Sequence, residues 1–297
     1  MTLGFRPFQN KEEETNASKL IATIDKGERW IFEGAEGSKD FGGFLEQLYY
    51  SRKDIFGTFS SCIYGGKLRI HIGFNTDMPD ELSNELLSLI ENARHKINTF
   101  TSIWYLPKNE KLQRFLYNNL PWKANGHKTH ELTAHREGFE DMDCVLPPGI
   151  TIIPFEEKYI INTCSMLDKS LAHTFDDPNK GIFLNNRNNI MNEWVEKAKA
   201  GECCIMIENN NVVGAYVLKG AEIDFLAIAV DKQGNGLGKQ LVRHAINHIL
   251  SSSDELPYLY CIDRNSNALR FYLRQAMKVT GHSGYVFLNK IDQTTPE

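Results

Sequence analysis

Between Gln233 and Gly238 the chain reads Gln-Gly-Asn-Gly-Leu-Gly, with three glycines at alternate positions, and Lys239 and Gln240 follow. Apolar residues at Leu241, Val242, Ala245, Ile246 and Ile249 keep a helical spacing, so the glycines fall where a helix begins. The first amides of a helix have no acceptor within it and carry the positive end of its dipole, which suits an anion. Glycine lets the backbone approach phosphate oxygens and adopt positive φ, offsetting roughly 0.5–1 kcal/mol of lost preference per residue. The chemistry available to this stretch is therefore a pyrophosphate cradle. It is neither of two familiar phosphate motifs: a P-loop needs glycine at Gln233 and a hydroxyl at Gln240, and the dinucleotide fingerprint needs its third glycine at Lys239. Titratable groups stand at two further places. Glu222 and Asp224, two residues apart on a strand, share a face by alternation, and Tyr272 lies seven residues after Asn265, two turns along one helical face.

The elements that must position these groups follow from periodicity. Helices are expected over Glu157 to Leu171 and in a segment stopped by Gly201. "ECCIMIE", "NVVGAYVL" and "AEIDFLAIAV" read as strands, the first pair joined by an asparagine turn. The glycine loop and its helix come next, then the strand "LPYLYCI", the helix "NSNALRFYLRQAM" and a last strand in "GYVFLNKI". The order is that of an α/β layer arrangement.

This second half resembles the GNAT, or Gcn5-related, N-acetyltransferases. Gln233-x-x-Gly236-x-Gly238 fits that family's Q/R-x-x-G-x-G/A loop, and Asn265, Ala268 and Tyr272 fit its N-x-x-A-x-x-x-Y signature. The resemblance implies acetyl-CoA as co-substrate. Backbone of Ile228, Ala229 and Val230 would bond the pantetheine arm, while Gln233, Gly234, Asn235, Gly236, Leu237, Gly238, Lys239 and Gln240 would hold the pyrophosphate, with Asn265 beside the cofactor. It also implies Tyr272 as general acid for the departing thiolate and Glu222 as the base, with Asp224 or water as the alternatives for that last role. The expected reaction is direct transfer of an acetyl group to a primary amine of a small molecule. Two readings stand beside it: a non-catalytic acyl-CoA-binding regulatory module, and an acetyltransferase of protein N-termini or lysines.

The first half repeats the second at an offset of 156 residues, which lays Asn109 on Asn265 and "IHIGF" on "LAIAV". Under that offset the glycines become Met78, Asp80 and Leu82, Asp77 replaces Gln233, and the tyrosine position becomes Leu116. Carboxylates would repel a pyrophosphate, and leucine has no proton to give. The expected architecture is two GNAT-like domains in tandem, each a mixed, mostly antiparallel sheet flanked by helices. Residues 1–145 would form a degenerate copy and 146–297 the acetyl-CoA-binding domain, joined at the Pro147-Pro148-Gly149 turn.

Composition narrows the partners. The 297 residues carry a net charge of −5, too acidic for a general nucleic-acid surface. No run approaches the ~20 apolar residues of a membrane span, so a cytoplasmic protein, monomeric or homodimeric, is expected. The six cysteines form no metal-ligand spacing and no disulfide framework, and read as reduced thiols.

Overall fold

The computed structural model describes residues 4–24, 41–120, 125–139, 143–174 and 181–291. They form two compact units: Met1–Thr129 with Gly281–Glu297, and His130–Thr280. The boundary expected near residue 145 is thus corrected to 129/130, with a second boundary at 280/281. The physical reason is burial. Leu132 and Ala134 lie in the second unit's core, whereas Val286 and Leu288, from the end of the chain, lie in the first unit's core.

In the first unit α1 (Lys11–Ile24) precedes the strands β1 (Phe41–Arg52), β2 (Ile55–Tyr64) and β3 (Lys67–Phe74). Then come α2 (Ser83–Lys96), β4 (Thr101–Tyr105), α3 (Glu110–Asn119) and the first part of β5 (Asn125–Ala134). Gly65 and Gly66, at φ of 55° and 69°, make the tight β2–β3 turn. β1, β2 and β3 pair antiparallel, and β3 pairs parallel with β4. The C-terminal strand then adds antiparallel to β4, with Gly284 opposite Tyr105 and Leu288 opposite Thr101.

The second unit starts in β5 and continues with β6 (Ile150–Pro154), α4 (Ile160–Ser170), α5 (Ile182–Lys199), β7 (Cys203–Glu208), β8 (Asn211–Lys219) and β9 (Glu222–Ile228). It closes with α6 (Leu237–Ser252), β10 (Tyr258–Ile262), α7 (Ser266–Arg274) and the start of β11 (Met277–Leu288). Asn209 and Asn210, at φ of 49° and 65°, form the expected asparagine hairpin between β7 and β8. The order of strands in this unit is β11-β5-β10-β9-β8-β7-β6. One core lies under α6 and α7; the other lies between the sheet and α4 with α5. The repeat seen in the sequence is a structural repeat: shifted by 156 residues, α2, β4 and α3 fall on α6, β10 and α7. This is the expected tandem arrangement of mixed, mostly antiparallel sheets flanked by helices. Among the described residues no helix is long and apolar enough to cross a membrane, and no cluster of His, Cys, Asp and Glu could hold a metal ion.

Candidate functional site

The central strands of the second unit part almost as soon as they meet. β9 and β10 run parallel with one register pair, Glu222 opposite Tyr258, supported by the Tyr258 N–H bond of 3.0 Å to the carbonyl of Ala221. Among the described residues β9 has no register partner on β10 beyond that pair, so the two strands part there and leave a wedge-shaped gap between them. Ala229 N–H donates to Val213 on β8 at 2.9 Å, so antiparallel alternation turns the polar groups of Ile228 and Leu226 toward the gap. Gln233 Nε2 takes the Ile228 carbonyl at 3.1 Å, and the Ile228 N–H remains directed into the gap.

The chain leaves β9 through a short 3-10 turn, Val230–Lys232, rather than continuing as strand to Val230. Here the expected backbone contacts are corrected. Ala229 N–H is spent on β8, and Val230, 60% exposed, lies outside the strand; Ile228 and Leu226 are the residues whose backbone faces the gap. Leu226 was legible only once the register of β8 was known.

The glycines behave as their spacing suggested. Gly234 and Gly236 hold φ of 82° and 80°, and a Cβ on either would meet nothing within 4 Å: left-handed backbone beside open space. Gly236 caps α6 with no side-chain partner, and among the described residues the amides from Gly234 to Gly238 have no hydrogen-bond acceptor. Gly238 differs. A Cβ there would lie 3.4 Å from the Phe271 ring and 3.7 Å from Ile228 Cγ1, so this glycine brings the start of α6, the end of β9 and α7 together.

Three of the side chains expected at the loop serve the chain itself. Gln240 Oε1 accepts from Val145 N–H at 3.0 Å, Leu237 is buried in the core, and Gln233 bonds the strand end as described. Lys239 and Asn235 are exposed. Asn265 Oδ1 accepts from Ala268 N–H at 3.1 Å, capping α7. That cap orients Tyr272, buried at 9% exposure with its ring 5.1 Å from Phe271. Burial, and to a lesser degree the nearby Cys261, hold the phenol well above its usual value, so it stays protonated. Cys261 itself is pushed up to about 11 by burial and by Asp263, and is no thiolate nucleophile at neutral pH.

The two carboxylates do not share a face by simple alternation. Val217 pairs with Phe225 and Leu218 with Ile223, which leaves Asp224 as the extra residue of a β-bulge. Accordingly Ile223 packs into the core beneath α6, whereas Phe225 packs into the core beneath α5. Glu222 sits at the closed end of the wedge, opposite Tyr258 on one side and Lys219 on the other. Desolvation raises the pKa of Asp224, a shift that Lys219 and Lys197 oppose and Glu193 reinforces.

The equivalent place in the first unit is built differently. β3 and β4 remain paired over five register positions, from Leu68 opposite Thr101 to Ile72 opposite Tyr105. Asn109, the counterpart of Asn265, caps nothing with its side chain. It accepts from Phe74 N–H at 2.9 Å and donates to the carbonyls of Phe74 at 3.0 Å and Thr76 at 2.6 Å, wholly buried. Asp77 meanwhile accepts from the amides of Lys111 at 3.0 Å and Leu112 at 3.4 Å, placing a carboxylate on the N-terminus of α3.

Comparison with known proteins agrees with this geometry. Residues 168–277 match the model of the acetyltransferase (GNAT) family. Over 76 residues the chain is 33% identical to the peptidyl-lysine N-acetyltransferase YjaB of Salmonella typhimurium, a stretch covering 26% of this chain and 49% of that protein. The chain therefore spans about half the length of the curated relatives it matches. A GCN5-related N-acetyltransferase from Sphaerobacter thermophilus superposes with a TM-score of 0.60 at 12% identity, covering 98% of both chains. A tandem GNAT protein from the clavulanic acid biosynthesis pathway does so with a TM-score of 0.53 at 9% identity, covering 99% of both.

Proposed function

We propose that this chain, whose residues 168–277 match the acetyltransferase (GNAT) family model, transfers an acetyl group from acetyl-CoA to the primary amine of a small molecule. The observation that carries the reading is the wedge between β9 and β10, opening beside a left-handed glycine loop whose amides have no acceptor. An extended arm fits between strands that have parted, and a pyrophosphate fits on free amides at the start of α6.

The thioester supplies an activated acyl carbon; the chain's own residues supply position and protons. Backbone amides of Gly234 to Gly238 bind the diphosphate, and the inward N–H of Ile228 bonds the arm or polarises the carbonyl. Tyr272, neutral because it is buried, gives its proton to the departing sulfur. Glu222 takes the first proton of the incoming ammonium, directly or through water, with Asp224 in the bulge as the alternative acceptor; the second, released as the tetrahedral intermediate collapses, replaces the proton Tyr272 gave to sulfur. The first unit, with its central strands paired and Asp77 on its helix terminus, takes no acetyl-CoA.

A protein lysine is the second reading, favoured by the name of the Salmonella relative. One experiment tests both: thiol release from acetyl-CoA with a panel of free amines and a lysine peptide, alongside a titration of acetyl-CoA binding. Turnover with a free amine supports the proposal. Turnover with the peptide alone moves the reading to the second, and tight binding without any turnover would leave a regulatory module.

A further inference from the structure

The gap between β9 and β10 has two faces. α6 and α7 pack against one, and α4 and α5 flank the other. Four aromatic rings gather on that face. Trp194 and Phe155 are the inner pair, 3% and 4% exposed, with centroids 5.5 Å apart. Phe183 and Phe225 are the outer pair, each half-buried, meeting edge to face at 5.2 Å. Trp194 backs both, at 6.3 Å from Phe183 and 5.5 Å from Phe225.

The position of Phe183 is built. Asp168 accepts from the amides of Phe183 at 2.8 Å and Leu184 at 2.9 Å, fixing the first turn of α5. Gly181, left-handed at φ of 61°, lets the chain enter that turn beside the carboxylate. Phe225 lies on β9 itself, and the residue before it is Asp224, displaced by the bulge to the surface. A carboxylate and an aromatic wall therefore adjoin on the strand that borders the gap.

We propose that Phe183 and Phe225 form the specificity wall of the acceptor site and, with Asp224, select primary monoamines carried on an aliphatic or aromatic group. This rests on the acetyl-transfer reading above. The carboxylate attracts one ammonium, and the rings reward each methylene placed against them, by roughly threefold to fourfold in affinity for a buried CH₂. Polyamines and amino sugars bring further polar groups that the rings cannot hydrogen-bond, and that part of the molecule loses water without compensation.

The test is kcat/KM for thiol release across n-alkylamines of increasing length, phenethylamine, spermidine and a lysine peptide, for the full chain and the variants Phe183→Ala, Phe225→Ala and Phe183→Leu. Efficiency should climb with alkyl length through KM, the two alanine variants should flatten that climb, and Phe183→Leu should restore most of it. A flat series in the parent chain, an unchanged slope in both alanine variants, or spermidine or the lysine peptide outrunning every monoamine would overturn the inference. Acetyl-CoA titrated in parallel separates the two levels. If it binds and some other acceptor is preferred, only the wall is wrong; if it does not bind, the transfer reading fails as well.

Discussion

Burial pushes the Tyr272 phenol up, and desolvation raises the Asp224 carboxyl as well, although the bulge brings that residue to the surface. A phenol held neutral can donate a proton at any working pH, so Tyr272→Phe should lower the rate of thiol release by about 10²-fold or more while leaving acetyl-CoA affinity within about threefold. Equal losses in rate and affinity would assign Tyr272 to binding instead. For Asp224 the sign follows from linkage. Its folded pKa lies above the unfolded value, so the folded state binds the proton more tightly, and stability falls as pH rises from about 4 through the folded pKa. Asparagine cannot ionise. Melting curves of Asp224→Asn against the parent should therefore diverge as pH rises over that window, with the variant the more stable, and a difference constant in pH would show that the carboxyl is not desolvated. The two carboxylates also mark where sequence reading stopped. Alternation placed Glu222 and Asp224 on one face, and only the ladder with β8 reveals the bulge between Ile223 and Phe225. A bulge depends on a partner strand's register, which no run of residues spells out.

At the level of elements, the glycine loop was legible because its requirement is local: positive φ at Gly234 and Gly236 demands the residue type seen. A Gly236→Val variant carries a side chain in left-handed backbone, a strain of about 1–2 kcal/mol. Its side chain also stands in the open space beside the loop, so isothermal titration should find acetyl-CoA binding lost while the fold survives. Retained affinity would mean that the open space holds no phosphate. The cap of α7 by Asn265 and the two-turn spacing to Tyr272 were legible for the same local reason. What stayed hidden is that the same amino acid does another job in the other copy. Asn109 joins the strand end to the helix by bonding Phe74 and Thr76, partners some 35 and 33 residues away. Asn109→Ala leaves the Phe74 amide without its acceptor inside the core and should lower the stability of the first unit by about 1–3 kcal/mol. The stoichiometry of acetyl-CoA should nevertheless remain one per chain, because β3 and β4 stay paired over five positions without it.

For the whole chain, the two units differ in the state of their central strands: parted after one pair in one, closed over five in the other. The helix and strand order was readable in both halves, since periodicity names an element's type. It does not name the partner. "GYVFLNKI" read as a final strand of the second half, yet Gly281–Glu297 belongs to the first unit, pairing with β4 and burying Val286 and Leu288 among Ile103, Tyr105 and Leu116. Beyond the strand, Asn98 accepts from Ile291 N–H at 2.8 Å and Arg94 donates to the Asn289 carbonyl at 2.5 Å, so the chain end is fastened to that unit. Leu288 is 1% exposed, and truncating such a leucine to alanine removes about 2–5 kcal/mol. Leu288→Ala should therefore lower the stability of the first unit by that amount, and its melting transition with it, although the residue lies eight positions beyond the second unit's last, Thr280. Acetyl-CoA offers the discriminating probe, because a ligand stabilises only the unit that binds it, by an amount that grows with its concentration. In the variant, saturating acetyl-CoA should raise the second unit's transition as far as it does in the parent, while the first unit's transition stays low. If acetyl-CoA instead restored the first unit's transition, that unit would hold a ligand of its own, and the closed strands would not have abolished its site.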